Sequence, residues 1–167
     1  MPLSVEMNKS SPTNFSMVFP ILPVRTALSA NQEFTLNIHT TVIPGVSIEM
    51  LERRWQSTKA QDVGNMEFQQ MNTGFIVDAQ FKNWQLLFEW MTYINNNKDK
   101  MVESKQNFGV DANLLITDNF QNRILALNFV DIWPMDLSEV SLSYREGEIV
   151  LESNITFAYD YYEIASV

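Results

Sequence analysis

The sequence predicts a mainly β domain, a β-sandwich or partly closed barrel with one flanking α-helix over about residues 79–95. Three observations lead there. Most of the chain alternates apolar and polar residues with the period of two that a half-buried strand requires. One segment alone changes to a period near 3.6, with Phe81, Trp84, Leu87, Phe88 and Met91 on a single stripe. Clusters of Pro, Gly and Asn separate these segments, as turns do. Several short strands and a single long helix fit a sandwich or barrel capped by that helix. At 167 residues the chain has room for one domain with a sizeable core.

Taken in order, residues 1–13 are polar, end near Ser10-Ser11-Pro12, and read as an N-terminal arm before a domain spanning 14–167. Asn14 to Phe19 alternates and reads as a short strand closed by Pro20 and Pro23. Phe34 to Ile43 reads as a strand with Phe34, Leu36, Ile38 and Val42 on one face and Thr35, Asn37, His39 and Thr41 on the other. Pro44-Gly45 then turns the chain, and Val46 to Glu52 can continue as a strand. Residues 53–70 form the least hydrophobic long stretch. In a one-domain protein such a stretch is an exposed hairpin or a loop that binds a partner.

Strand character returns at Thr73 to Asp78, and Asp78 is placed to cap the helix that follows. Asn95-Asn-Asn97 stops that helix, and Trp90 falls off its stripe. Val110 to Thr117 reads as a strand. Arg123 to Trp133 is apolar on both faces, reads as a central strand, and is expected to end at Pro134. Ser138 to Tyr144 and a strand from Glu148 to Tyr161 are expected to pair as a hairpin through Glu146-Gly147. Its greasy face carries Val140, Leu142, Ile155 and Phe157, and its other face carries Glu139, Glu148 and Glu152.

Charge and composition remove many functions. The net charge is -9, and from Asp131 onward eight acids face Arg145 alone, which places seven of the nine excess negative charges there. Such a surface repels phosphates, which argues against a nucleic-acid reader. With no Cys there is no disulfide framework and no thiolate chemistry. His39, alone of its kind, has no second ligand for a metal and no nucleophile to serve. No phosphate-cradling glycine motif occurs, and the many carboxylates show no pairing of the kind a glycosidase needs. An enzymatic role, a cofactor and a metal are therefore not expected. No apolar run approaches the ~20 residues of a membrane helix, and the first residues lack the apolar core of a secretory signal. The sequons at Asn8, Asn14 and Asn154 carry little weight without such a signal. A sugar-binding sandwich using Trp55 or Trp90 as a stacking platform is the alternative from a different class.

Five landmarks in sequence order carry a family resemblance: Asn14-Phe-Ser-Met-Val-Phe19; Ile43-Pro-Gly-Val46; the strand-to-helix run from Phe75 through Trp84 to Trp90; Asn128-Phe-Val-Asp-Ile-Trp-Pro134 leading to Leu137-Ser-Glu-Val-Ser-Leu142; and the closing Ile155 to Glu163. Together they resemble the tail tube proteins of contractile-tailed, T-even-like bacteriophages, whose domain recurs in baseplate tube-initiator and type VI secretion tube proteins. The resemblance implies hexameric rings stacked into a hollow inner tail tube, with sheath and baseplate proteins as partners. Double-stranded DNA would pass through the lumen during ejection without specific binding. It further implies a virion protein made in the host cytoplasm, with no membrane insertion. A tube initiator or tail terminator would share the same landmarks. On this reading Arg53, Arg54, Trp55 and Lys59 belong to an inter-subunit loop over about 53–70, and Asp136, Glu139, Glu148 and Glu152 line the lumen.

Overall fold

The computed structural model describes residues 14–20, 22–23, 34–36, 38–55, 58–97, 108–117, 122–142 and 150–165. The N-terminal arm and Glu148, together with the turn expected at Glu146-Gly147, lie outside them. The described residues form ten strands and one helix: β1 (Phe15–Phe19), β2 (Phe34–Leu36), β3 (Ile38–Thr41), β4 (Val46–Trp55), β5 (Thr58–Phe68), β6 (Met71–Ile76), α1 (Lys82–Asn97), β7 (Val110–Thr117), β8 (Arg123–Leu137), β9 (Glu152–Ala158) and β10 (Tyr161–Ala165). All ladders are antiparallel, and they run β2-β1-β7-β8-β9-β6-β3, with β10 also on β8 and β4-β5 as a separate pair. The two ends of this path, β2 and β3, are neighbours in sequence. The sheet thus curls back toward its own start without closing into a hydrogen-bonded barrel.

The long strand β8 joins the two halves of the sheet, and its sequence explains how. Its first half pairs with β7 on one edge and β10 on the other; its last residues pair with β9. Between them Asp131 adopts a positive φ of 52°, and the ladder to β7 skips a residue between Val110 and Ala112. That bulge turns the corner. Gly109 lies against it so closely that a Cβ there would meet the Asp131 Cα at 2.9 Å. Pro134 does not end the strand, contrary to the sequence expectation. The ladder to β9 keeps Pro134 opposite Phe157 and shifts register between Pro134 and Asp136, and a proline is tolerated at such a bulge. Along β8, β9 and β10 behave as one strand broken at Tyr159-Asp160: Ala158 stands opposite Trp133 and Tyr161 opposite Val130.

A second bulge corrects the reading of β3. The register shifts between Ile38 and Thr40, so Thr41 turns inward to stand opposite buried Thr73, their hydroxyls 3.1 Å apart. Val42, expected inside, is exposed. The expected hairpin at 138–144 also departs from the sequence reading. Residues 138–142 are not in a strand, and Leu142 is exposed, although Val140 packs on the core.

The helix begins later than expected and buries a different face. Asp78 caps the turn before it, its carboxylate accepting from the Gln80 N–H at 2.6 Å. Phe81, at a φ of 58°, stands at the helix start, with its carbonyl accepting from the Gln85 N–H. Asn83 ties the entry together: its side chain accepts from the Asp78 N–H and donates to the Ile76 carbonyl. The buried face is Asn83, Leu86, Leu87 and Trp90. Of the expected stripe, Leu87 is buried, Phe81 and Trp84 pack partly on the core, Met91 is half-buried and Phe88 is exposed. Because Phe81 sits outside the helix in a left-handed conformation, it does not extend the 3.6-residue phase that counting from it assumed.

Trp90 is the centre of the core and not an edge residue. It is fully buried, meets Phe19 edge-on with centroids 6.0 Å apart, and donates from Nε1 to the Phe108 carbonyl. Phe157 packs against both. A buried Trp90 cannot stack on a sugar, which removes that half of the alternative; the Trp55 side chain lies outside the described residues.

Candidate assembly surface

The segment over about 53–70, read as an exposed hairpin or a partner-binding inter-subunit loop, belongs to a hairpin that begins earlier, at Val46, and runs through β4 and β5. Arg53, Arg54 and Lys59 are exposed near its tip, and the backbone of Trp55 pairs with Thr58 beside the turn. Its cross-strand partners are Val46 with Phe68, Ile48 with Met66, Met50 with Val63, Glu52 with Gln61 and Arg54 with Lys59. Directly opposed residues share a face. One face is therefore apolar from the root to the middle and cationic at the tip.

A bulge makes that stripe continuous. The register shifts between Ile48 and Met50, where Glu49 faces Gly64 and Asn65. Without the extra residue, Val63 and Met66 would fall on opposite faces. A Cβ at Gly64 would meet the Glu49 carbonyl oxygen at 2.8 Å, so the close approach requires glycine. Despite this organisation, the stripe stays more than half exposed among the described residues: Ile48 is 58% exposed, Met50 61%, Met66 56% and Val63 75%. Covering a half-exposed aliphatic side chain recovers roughly 1 kcal/mol, and a two-stranded hairpin alone is marginal in water. Patches of this kind mark interaction sites. The opposite face is tied by Arg53 to Asp62 at 3.2 Å.

Among the described residues, the hairpin meets the body at its root. The Gln69 N–H donates to the Gly45 carbonyl at 3.0 Å, closing the neck. Phe68 packs against Tyr159 and Tyr162, and both tyrosines pack on Phe129. Burial pushes the Tyr159 phenol up to about 12, with neighbouring Tyr162 adding to the effect.

A second bare surface lies on α1, where Trp84 and Phe88 stack with centroids 5.5 Å apart and Phe88 is 53% exposed. Trp84 Nε1 and Glu89 Oε2 are buried without a hydrogen-bond partner among the described residues.

The acids gather on a third surface, around β9. Asp136 stands opposite Thr156, and Glu152 opposite Ile76, so both flank the outward face that also carries Asn154. Glu152 reaches His39 at 3.7 Å. Glu139 is exposed in the segment after β8, where the Ser138 N–H donates to the Asn154 carbonyl. Three of the four acids singled out in the sequence thus border one strand; the fourth, Glu148, lies outside the described residues. No group of three or more His, Asp or Glu residues among the described ones is placed to hold a metal, and no helix is long and apolar enough to cross a membrane.

Sequence comparison agrees with this architecture. The family model for the phage tail tube protein matches residues 10–165, nearly the whole chain. The chain belongs to the phage tail tube protein family. Within the family's wider circle, the tail tube terminator protein of Enterobacteria phage T4 is 29% identical over 163 residues, covering 94% of this chain and 89% of that protein. Among solved structures the fold is shared with a chain of the PVC extracellular contractile injection system, from its sheath–tube complex in the extended state. That match has a TM-score of 0.68 at 13% identity over 98% of this chain and 95% of the other. A chain of the tube-terminating cap of the anti-feeding prophage gives 0.65 at 12% identity, over 100% and 97%. A chain of that prophage's baseplate, determined with six-fold symmetry, gives 0.65 at 8% identity, over 95% and 96%. This tail tube family member is accordingly a structural component of the virion and not an enzyme.

Proposed function

We propose that the chain forms a six-membered ring that completes the end of a phage tail tube, a terminator role. The observation that carries ring assembly is the apolar hairpin face, ordered by a bulge yet more than half exposed among the described residues. In a closed ring each subunit's projecting arm lies on the next, and the same contact repeats until the rotation closes. The terminator role is supported by the relative from phage T4, which matches over nearly its full length. A tube-body subunit is the second reading, favoured by the shared fold with the sheath–tube complex. Either ring would contact sheath and baseplate proteins, be made in the host cytoplasm and become part of the virion.

In this ring Arg53, Arg54, Trp55 and Lys59 lie at the inter-subunit end of the hairpin, and Asp136, Glu139 and Glu152, with Glu148, line the lumen. Carboxylates facing the channel hold no phosphate, so a duplex slides past without sticking. Electron microscopy of the purified protein tests the proposal. Discrete six-fold rings are expected. Open-ended tubes would replace the terminator with the tube-body reading, and a strict monomer at every concentration would overturn both.

A further inference from the structure

The hairpin joins the body through two short connections, residues 42–45 and 69–70, so its direction must be set at the root. Two phenols act there on opposite strands of the neck. Tyr159 donates its hydroxyl hydrogen to the Gln69 carbonyl at 2.5 Å, and Tyr162 donates to the Pro44 carbonyl at 3.1 Å. Between these carbonyls runs the neck bond from Gln69 N–H to Gly45. Phe68, the last residue of β5, sits in the aromatic pocket the two tyrosines form, with centroids 6.2 and 5.3 Å away. Tyr159 lies in the break between β9 and β10 and Tyr162 in the first residues of β10, and at the break the Asp160 N–H donates to the Val130 carbonyl beside the Asp131 corner of β8.

We infer that Tyr159 and Tyr162 are positioning residues: a two-phenol clamp that fixes the angle at which the hairpin leaves the body, and so sets the geometry of ring closure. One hydroxyl would still let the arm rotate about a single point. Two, on opposite strands of the neck, remove that freedom. The break between β9 and β10 is what lets both phenols serve one root: in an unbroken strand residues three apart, as Tyr159 and Tyr162 are, face opposite sides. Its role in ring closure rests on the ring reading above, whereas its hold on the hairpin does not.

The absence of native cysteine allows a direct test. Spin labels placed at Lys59→Cys and Asn72→Cys report the distance between the hairpin tip and β6 by pulsed electron resonance. Measurements on diluted label avoid contacts between copies. Tyr159→Phe, Tyr162→Phe and the double variant keep the rings that pack on Phe68 and remove only the hydroxyls. A narrow distance distribution is expected for the parent and a distribution at least about twofold wider for the double variant, with each single variant between. Hydrogen exchange should rise about tenfold at Val46 and at 68–70 while β6, β8 and β9 stay protected, which separates loosening of the arm from unfolding. An unchanged distribution and unchanged exchange at the neck in the double variant would overturn the clamp. Ring yield by negative-stain imaging then reads the link to closure. Rings from the parent and few from the double variant support it; equal yields from a loosened arm overturn that link. A parent that never forms rings fails the ring reading and leaves the distance measurement to judge the clamp.

Discussion

The β6–β9 ladder and the β4–β5 hairpin are built alike and used oppositely. Both are antiparallel, both oppose large apolar residues in register, and both contain a row of side chains sorted to one face. In β6 and β9 that row is Met71, Phe75, Ile155 and Phe157, each fully buried. In the hairpin it is Ile48, Met50, Val63 and Met66, each more than half exposed. Sorting a strand's faces is therefore not the same as burying one. The difference lies in what stands opposite: α1 and β1 supply Trp90 and Phe19 to the first row, whereas among the described residues the second row stays exposed.

Changes in the two rows should separate cleanly. Phe157→Ala opens a cavity among Phe19, Trp90 and the β6 side chains and is expected to cost about 3–5 kcal/mol, enough to unfold much of the protein in thermal or urea denaturation. Val63→Asp in the hairpin should leave the stability of the isolated chain within about 0.5 kcal/mol of the parent. Ring formation should nevertheless be lost, as measured by light scattering behind a sizing column. A large loss of stability from Val63→Asp would erase the contrast between the two rows. Reversing Asp136 and Glu152 to Lys together should leave rings intact and impair DNA passage in an ejection assay, whereas loss of rings would place these acids in a subunit interface.

The alkaline side gives a further, smaller effect. The Tyr159 phenol is raised in the folded protein from 10.0 to about 12, so the folded state favours the protonated form that donates to Gln69. That contribution is fully present below about pH 10 and is lost as the pH rises through about 12. Phenolate absorbance should show one tyrosine titrating late, and Tyr159→Phe should remove that step. The smallest change expected is at Arg53→Ala: its ion pair with Asp62 is exposed on both sides, and such pairs contribute about 0–1 kcal/mol.

Much of the fold was legible because burial follows period. Val110 to Thr117 forms a strand with the boundaries its alternation implied, and Ile155 and Phe157 face inward as read. The failures share one cause. At His39, Gly64, Asp131 and Pro134 the backbone inserts or skips a residue, or turns left-handed, and everything beyond changes face or direction. Periodicity assumes an unbroken register; Gly64 and Pro134 are residue types that bulges favour, whereas His39 and Asp131 do not mark theirs. In the helix the expected stripe is off by about one residue: Phe81 lies before α1 with a left-handed backbone, and the buried face is Asn83, Leu86, Leu87 and Trp90. The polar composition of 53–70 pointed to a partner-facing segment, but the apolar stripe next to it was hidden, because Val63 and Met66 share a face only through the bulge at Gly64-Asn65.

The most direct measurement is an electron cryomicroscopy map of the purified, concentrated protein. Rings of six subunits are predicted, with Ile48, Met50, Val63 and Met66 of each hairpin buried against the neighbouring subunit. Rings in which that face remains in solvent, or a protein that stays monomeric at every concentration, would contradict it.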